Sequence, residues 1–103
     1  MLDWKNNYYL EGDIRFPERT RKKIQKRKFV PEIYLITFSH NKENLLEILP
    51  ATVLIQKAAY ENCPTIIGMA KGKDCAIDLV KRIIDEVYQN TGAFNVREYM
   101  ETR

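Results

Sequence analysis

The sequence predicts an α/β fold: a strand-helix-strand-helix core with parallel strands, preceded by an N-terminal hairpin or basic helix. Three observations predict it. Two short runs, Ile33-Tyr34-Leu35-Ile36-Thr37-Phe38 and Thr65-Ile66-Ile67-Gly68-Met69-Ala70, are almost continuously apolar; such runs mark strands covered on both faces. After the second run, apolar residues recur at steps of three and four between positions 76 and 88, the spacing of one helix face. The 103 residues suit a single domain, because a split would leave pieces too small for cores of their own.

The elements follow in order. Tyr8-Tyr9-Leu10 and Ile14-Arg15-Phe16 flank Glu11-Gly12-Asp13, the pattern of a small hairpin around a glycine turn. Pro17 then fits the first position of a basic helix reaching residue 28, where its missing N–H costs nothing. Ile24, with Phe16 and Phe29 at its flanks, is all the apolar surface that helix has. Residues 1–31 thus form a basic N-terminal segment and residues 32–103 the α/β core. Ser39-His40-Asn41 ends the first core strand, and Ser39 or Asn41 caps a helix starting at Lys42. Pro50 is not tolerated inside a helix. The expectation is therefore a short helix over residues 42–49, a bend, and a second helix over residues 50–61 with Val53, Leu54 and Ala58 toward the sheet.

Asn62-Cys63-Pro64 is the next break, and Lys71-Gly72-Lys73-Asp74 turns into the last long helix. Its stripe comprises Ala76, Ile77, Leu79, Val80, Ile83, Ile84, Val87 and Tyr88, and Gly92 ends it, as glycine commonly does. The tail around Phe94, Val96 and Tyr99 forms a final turn of helix packing back. Strand-helix-strand units join parallel strands through a right-handed crossover. Two strands cover these helices poorly, so the hairpin or a second copy of the chain completes the core, and a homodimer is expected.

Composition and charge exclude several classes. With 45% hydrophobic and 30% charged residues the chain is globular rather than disordered. The densest apolar run, residues 45–60, is broken by Glu47, Pro50, Thr52, Gln56 and Lys57, so no membrane partner is expected. The first residues lack a secretory pattern, which places the expected location in the cytoplasm and keeps Cys63 and Cys75 reduced. Two cysteines with one histidine form no metal-ligand pattern, and no cofactor motif is present. Net charge is +3, but it is unevenly spread. Residues 15–28 carry eight cations (Arg15, Arg19, Arg21, Lys22, Lys23, Lys26, Arg27, Lys28) against Glu18 alone, whereas from residue 32 onward eight basic residues meet ten acidic ones.

Ligands of open α/β sheets sit beyond the carboxyl ends of parallel strands. Those ends here are Ser39-His40-Asn41 and Gly68 to Lys73, so Ser39, His40, Asn41, Gly68, Lys71, Gly72 and Lys73 are the candidate ligand site. Lys71-Gly72-Lys73 ahead of a helix joins two cations to a helix N-terminus, although glycine before a helix also serves plain turn formation. His40 has the pKa of a general base but no placed partner. Ser39 lacks the glycines of a nucleophile elbow, and Cys75 in the first helical turn has no acid–base neighbour in sequence. No catalytic residue is assigned. The first reading is a non-catalytic binding or accessory module for a small anionic ligand or a protein partner. The alternative is nucleic-acid binding by the basic segment, since clustered Lys and Arg neutralise phosphates and Tyr8, Tyr9 and Phe16 offer stacking surfaces.

Two resemblances accompany these readings. The Asn44-Leu45-Leu46 stretch, the Gly68-Met69-Ala70-Lys71-Gly72 loop and the Asn90-Thr91-Gly92 stop with Phe94 and Val96 resemble small bacterial proteins of unassigned function over residues 33–99. That resemblance implies a bacterial, cytoplasmic protein and no particular chemistry. Ile14-Arg15-Phe16-Pro17-Glu18 resembles the strand-to-helix junction of ribbon-helix-helix DNA-binding proteins. It departs from them at once, because the helix lacks the apolar positions their dimer core needs.

Overall fold

A computed structural model describes residues 2–39 and 45–102. The chain runs β1 (Trp4–Glu11), α1 (Pro17–Gln25), β2 (Ile33–Phe38), β3 (Leu46–Pro50), a 3-10 turn (Ala51–Ile55), α2 (Lys57–Glu61), β4 (Ile66–Lys71), α3 (Lys73–Thr91) and α4 (Val96–Thr102). The strands form one mixed sheet in the order β1-β4-β2-β3. β1 and β4 are parallel, whereas β2 is antiparallel to both β4 and β3.

The continuous apolar runs do mark buried strands. β4 is buried from Ile66 to Ala70, and β2 is buried except at the half-buried Tyr34. One face of the sheet packs Leu35, Ile66 and Met69 against Ile24 of α1, Ala51 and Leu54 of the 3-10 turn, and Tyr60 of α2. The other face packs Ile36, Ile67 and Ala70 against Ala76, Leu79, Ile83 and Val87 of α3 and Val96 and Met100 of α4. The fold is thus three layers, helix-sheet-helix. β4 carries one bulge: Ile36 faces Gly68 while Thr37 already faces Ile66. A bulge turns two successive residues to the same side. Ile67 packs on the α3 side, and a methyl group on Gly68 would lie 3.1 Å from Leu79 Cδ2. Glycine there lets α3 settle close to the sheet.

Several expectations are corrected. β2 and β4 are antiparallel, not parallel. The cause lies in residues 46–50, expected to end one helix at Leu49 and begin another at Pro50. They form β3, which pairs back on β2 with Leu35 opposite Leu49. Leu46-Glu47-Ile48-Leu49 is a short apolar run that strand and helix both tolerate, and Pro50 is admissible at the end of an edge strand. The expected helix over residues 50–61 divides into the 3-10 turn and α2, separated at the extended Gln56. Those two pieces do make a crossover between parallel strands, but it joins β3 to β4 instead of β2 to β4. The N-terminal hairpin is absent among the described residues: β1 stands alone beside β4, and residues 14–16 belong to no strand. Four strands therefore arise within one chain, and the shortage that motivated a second copy does not exist.

Other expectations hold. α1 starts at Pro17, buries Ile24 and is tied to the sheet by Trp4 Nε1–H donating to Gln25 Oε1 at 2.9 Å. It stops at Gln25, short of residue 28, because Arg27 adopts a left-handed conformation (φ 59°). α3 ends at Gly92 with φ 71°. The tail forms α4, whose Arg97 donates to the Ser39 carbonyl at 2.9 Å and lies 4.7 Å over the Phe38 ring. No helix among the described residues is long and apolar enough to cross a membrane.

The layering is checked by urea unfolding. Ile36→Ala empties a fully buried site and is expected to cost about 2–5 kcal/mol. Phe29→Ala, at a residue 69% exposed, is expected to stay within about 0.5 kcal/mol. Equal losses at both positions would contradict the layer assignment.

Candidate functional site

The basic segment is a folded, docked surface. At about 100° per residue, the buried Ile24 points α1 toward the sheet and sets Arg19, Lys22 and Lys26 on the opposite arc, with Lys23 on one flank; all four are exposed. Glu18, the segment's lone acid, sits on the flank. Its carboxylate accepts the Tyr8 hydroxyl at 3.0 Å and lies 3.6 Å from Arg21.

The eight cations divide by role. Arg21 lies 5.5 Å over Trp4 and 5.9 Å over Tyr8, so it belongs to the seam between α1 and β1. Arg27 donates twice to the Ile55 carbonyl, at 2.6 and 3.2 Å, and fastens the end of α1 to the 3-10 turn. Arg15, Arg19, Lys22, Lys23, Lys26 and Lys28 face solvent. Among the described residues, none of these six is in an ion pair. Their spacing is costly, since Arg19–Lys23 and Lys22–Lys26 are like charges four apart, each unfavourable by about 0.2–0.5 kcal/mol. Favourable placement of the later lysines at the helix C-terminus offsets part of this.

The aromatic residues near this face are mostly committed. Tyr9 is buried with its hydroxyl on Glu86, which also accepts from Tyr99 at 3.1 Å. Tyr8 is held between Glu18, Arg21 and Trp4. Neither offers a free ring, so of the three expected stacking residues only Phe16 remains, 57% exposed with Arg19 over it at 5.0 Å. Phe29, beyond the other end of α1, is also open. Burial pushes the Tyr8 phenol above its ordinary pKa, and the hydrogen bond and charge of Glu18 push it further.

The expected ligand site does not assemble. Because β2 and β4 are antiparallel, Lys71 lies opposite Ile33, at the start of β2. Ser39 follows the far end of β2, about 20 Å away at some 3.3 Å per residue. Ser39 is buried, with its hydroxyl on Glu47 Oε1 at 3.0 Å. His40 and Asn41 lie outside the described residues. Gly68 sits inside the sheet and faces α3.

Lys71, Gly72 and Lys73 meet different neighbours. They line a cleft of about 510 Å³ together with Asp13, Glu32 and Tyr34, where β1 and β4 end and β2 begins. Gly72 takes φ 87°, and its N–H donates to the Glu32 carbonyl at 2.7 Å. Two carboxylates stand among the two lysines, so the cleft is formally neutral and poorly suited to an anion. Sequence reasoning missed Asp13, Glu32 and Tyr34 because long-range pairings bring them there: β1 beside β4 carries Asp13, and β2 antiparallel to β4 carries Glu32 and Tyr34. Among the described residues no group of three His, Cys, Asp or Glu is arranged to hold a metal ion. Cys63 is half-buried, and burial pushes its thiol pKa up, away from reactivity.

No protein-family model matches this chain, and no curated protein or solved structure is detectably similar to it.

A raised tyrosine pKa favours the neutral phenol in the folded state. The stability it contributes is fully present below the ordinary phenol pKa, about 10, and is lost as pH rises through the raised value. Glu18→Gln is expected to lower the Tyr8 pKa, as followed by NMR titration of its ring. An unchanged titration would remove Glu18 as a cause.

Proposed function

We propose that this protein binds nucleic acid through the outer face of α1, without catalysis. The observation that carries this reading is the set of six outward cations, in no ion pair among the described residues: Arg19, Lys22 and Lys23 on α1, Lys26 at its C-cap, and Arg15 and Lys28 just beyond its two ends. The helix is fixed to the sheet by Ile24, Trp4 and Arg27. The arrangement is linear and convex. Small anions are held in concave sites, whereas a row of cations along a helix matches a phosphate backbone. Residues 19–26 span about 10 Å at 1.5 Å per residue. Each strand of duplex DNA presents roughly one charge per 3.4 Å of the axis, so that length runs past about three phosphates of one backbone. Such interactions position a chain on the backbone and carry no base sequence. Exposed Phe16 and Phe29 at the two ends of the row add surfaces on which unpaired bases stack. The like-charge spacing of α1, unfavourable in the free protein, is relieved when phosphates neutralise it. The reading of Lys71-Gly72-Lys73 as an anion site is weaker, since Asp13 and Glu32 share its cleft.

The test is fluorescence anisotropy with duplex and single-stranded oligonucleotides across a salt series. Binding is expected to weaken steeply with salt. Lys22→Glu combined with Lys23→Glu and Lys26→Glu is expected to lower affinity at least tenfold. It is also expected to flatten the duplex salt slope by about 0.9 for each phosphate that the variant no longer neutralises. Lack of binding at low salt, equal binding by the variant, or binding confined to anionic vesicles would each overturn the proposal. Loss of binding in Lys71→Ala with Lys73→Ala, with the α1 variant unaffected, would move the site to the cleft.

A further inference from the structure

α3 carries more apolar surface than the fold uses. Ala76, Leu79, Ile83 and Val87 pack on the sheet and are fully buried. A second stripe, Ile77, Val80, Ile84 and Tyr88, runs beside them at steps of three and four, so it lies along one flank of the helix. Ile77 is 38% and Tyr88 47% exposed. Phe94, in the link to α4, stacks on Tyr88 with 4.9 Å between ring centroids and extends the stripe. Val80, Ile84, Tyr88 and Phe94 line a shallow groove of about 650 Å³, with Lys81 and Asp85 also at its edge. The open apolar surface continues on the sheet. Ile48 of edge strand β3 pairs opposite Ile36, faces the same side as α3 and is 36% exposed.

Charge on the rim points to the occupant. Lys81 and Asp85 are exposed, and among the described residues neither is in an ion pair. The neighbouring Arg82 is already committed, donating to Glu11 at 2.9 Å and to the Leu10 carbonyl. A closed dimer has a two-fold axis, so any pairing occurs twice with the roles exchanged. An antiparallel pairing of two α3 helices with its axis level with residue 83 has a simple consequence. Lys81, about 3 Å along the helix on one side of the axis, comes level with the partner copy's aspartate about 3 Å on its other side, given 1.5 Å per residue. Both rim pairs are then satisfied, and the two copies of Ile84 meet near the axis.

We propose that the flank of α3 formed by Ile77, Val80, Ile84 and Tyr88, with Phe94, is the interface of a homodimer built on an antiparallel α3 pair, with reciprocal Lys81–Asp85 ion pairs at its rim. This goes beyond the nucleic-acid reading and does not depend on it. α1 lies on the opposite face of the sheet, so dimerisation leaves both basic faces open and doubles the cations that one assembly offers to phosphates.

Light scattering after gel filtration tests the proposal, with far-UV circular dichroism as the fold control. The native chain is expected at twice its 12.2 kDa mass. Tyr88→Glu, at an exposed position, is expected to weaken dimerisation at least about a hundredfold, because an aromatic anchor is replaced by a charge in both copies. Lys81→Glu sets two acids together twice and is expected to weaken it about tenfold or more. Lys81→Glu with Asp85→Lys is expected to restore it. A native chain at 12.2 kDa up to high concentration, or a dimer unaffected by Tyr88→Glu, would overturn the proposal. So would a charge exchange that fails to restore the dimer in a chain with native circular dichroism. If Lys81→Glu unfolds the chain, the Tyr88→Glu comparison decides alone.

Discussion

The antiparallel ladder between β2 and β4 is the constraint on which the rest of the molecule depends. β4 is buried on both faces and flanked on both edges, so its direction fixes which loops share an end of the sheet. With β1 parallel to it and β2 antiparallel, the turns after β1 and β4 meet the turn before β2. Lys71, Gly72 and Lys73 therefore stand beside Asp13 and Glu32, and Ser39 is carried to the far end. Reversing that single pairing would bring Lys71 to Ser39 and separate it from Glu32. An anion site that reads well in sequence loses its second half, and its charge, to a strand direction.

That direction was not legible in residues 33–38 and 65–70, although both strands were. A continuous apolar run states that a strand is buried and says nothing of its orientation. Orientation follows from what lies between, and there the signal was ambiguous. Leu46-Glu47-Ile48-Leu49 suits a helix turn or a strand equally, and only pairing against Leu35 and Ile36 decides for the strand. Pro50 was correctly read as a boundary, but of β3 rather than of two helices. α3 was the most legible element, because its long stripe and Gly92 need no partner to be read. The N-terminal third was half legible. Pro17 and Ile24 placed α1, whereas β1 depends on a parallel edge supplied by residues almost sixty positions later.

The two surfaces that remain unsatisfied lie on opposite faces. On one, α1 presents cations that no acid among the described residues neutralises, because Glu18 is turned to Tyr8 and Arg21. On the other, α3 presents an apolar flank that neither β3 nor α4 covers. Both features carry a cost in the isolated chain, repulsion in the first case and exposed apolar area in the second. The proposed polyanion on one face and the proposed second copy on the other would remove those costs without any rearrangement of the sheet. The neutral cleft at Lys71 carries no comparable cost, which is why α1 is the surface proposed to bind.

Amide chemical-shift mapping of the isotope-labelled protein, titrated with an oligonucleotide at low salt, tests that assignment most directly. Shifts are expected to concentrate at Arg15, Arg19, Lys22, Lys23, Lys26 and Lys28, with Phe16 and Phe29 at their borders and Lys71, Gly72 and Lys73 unmoved. Shifts centred on Lys71, Gly72 and Lys73, or no shifts at all, would contradict it.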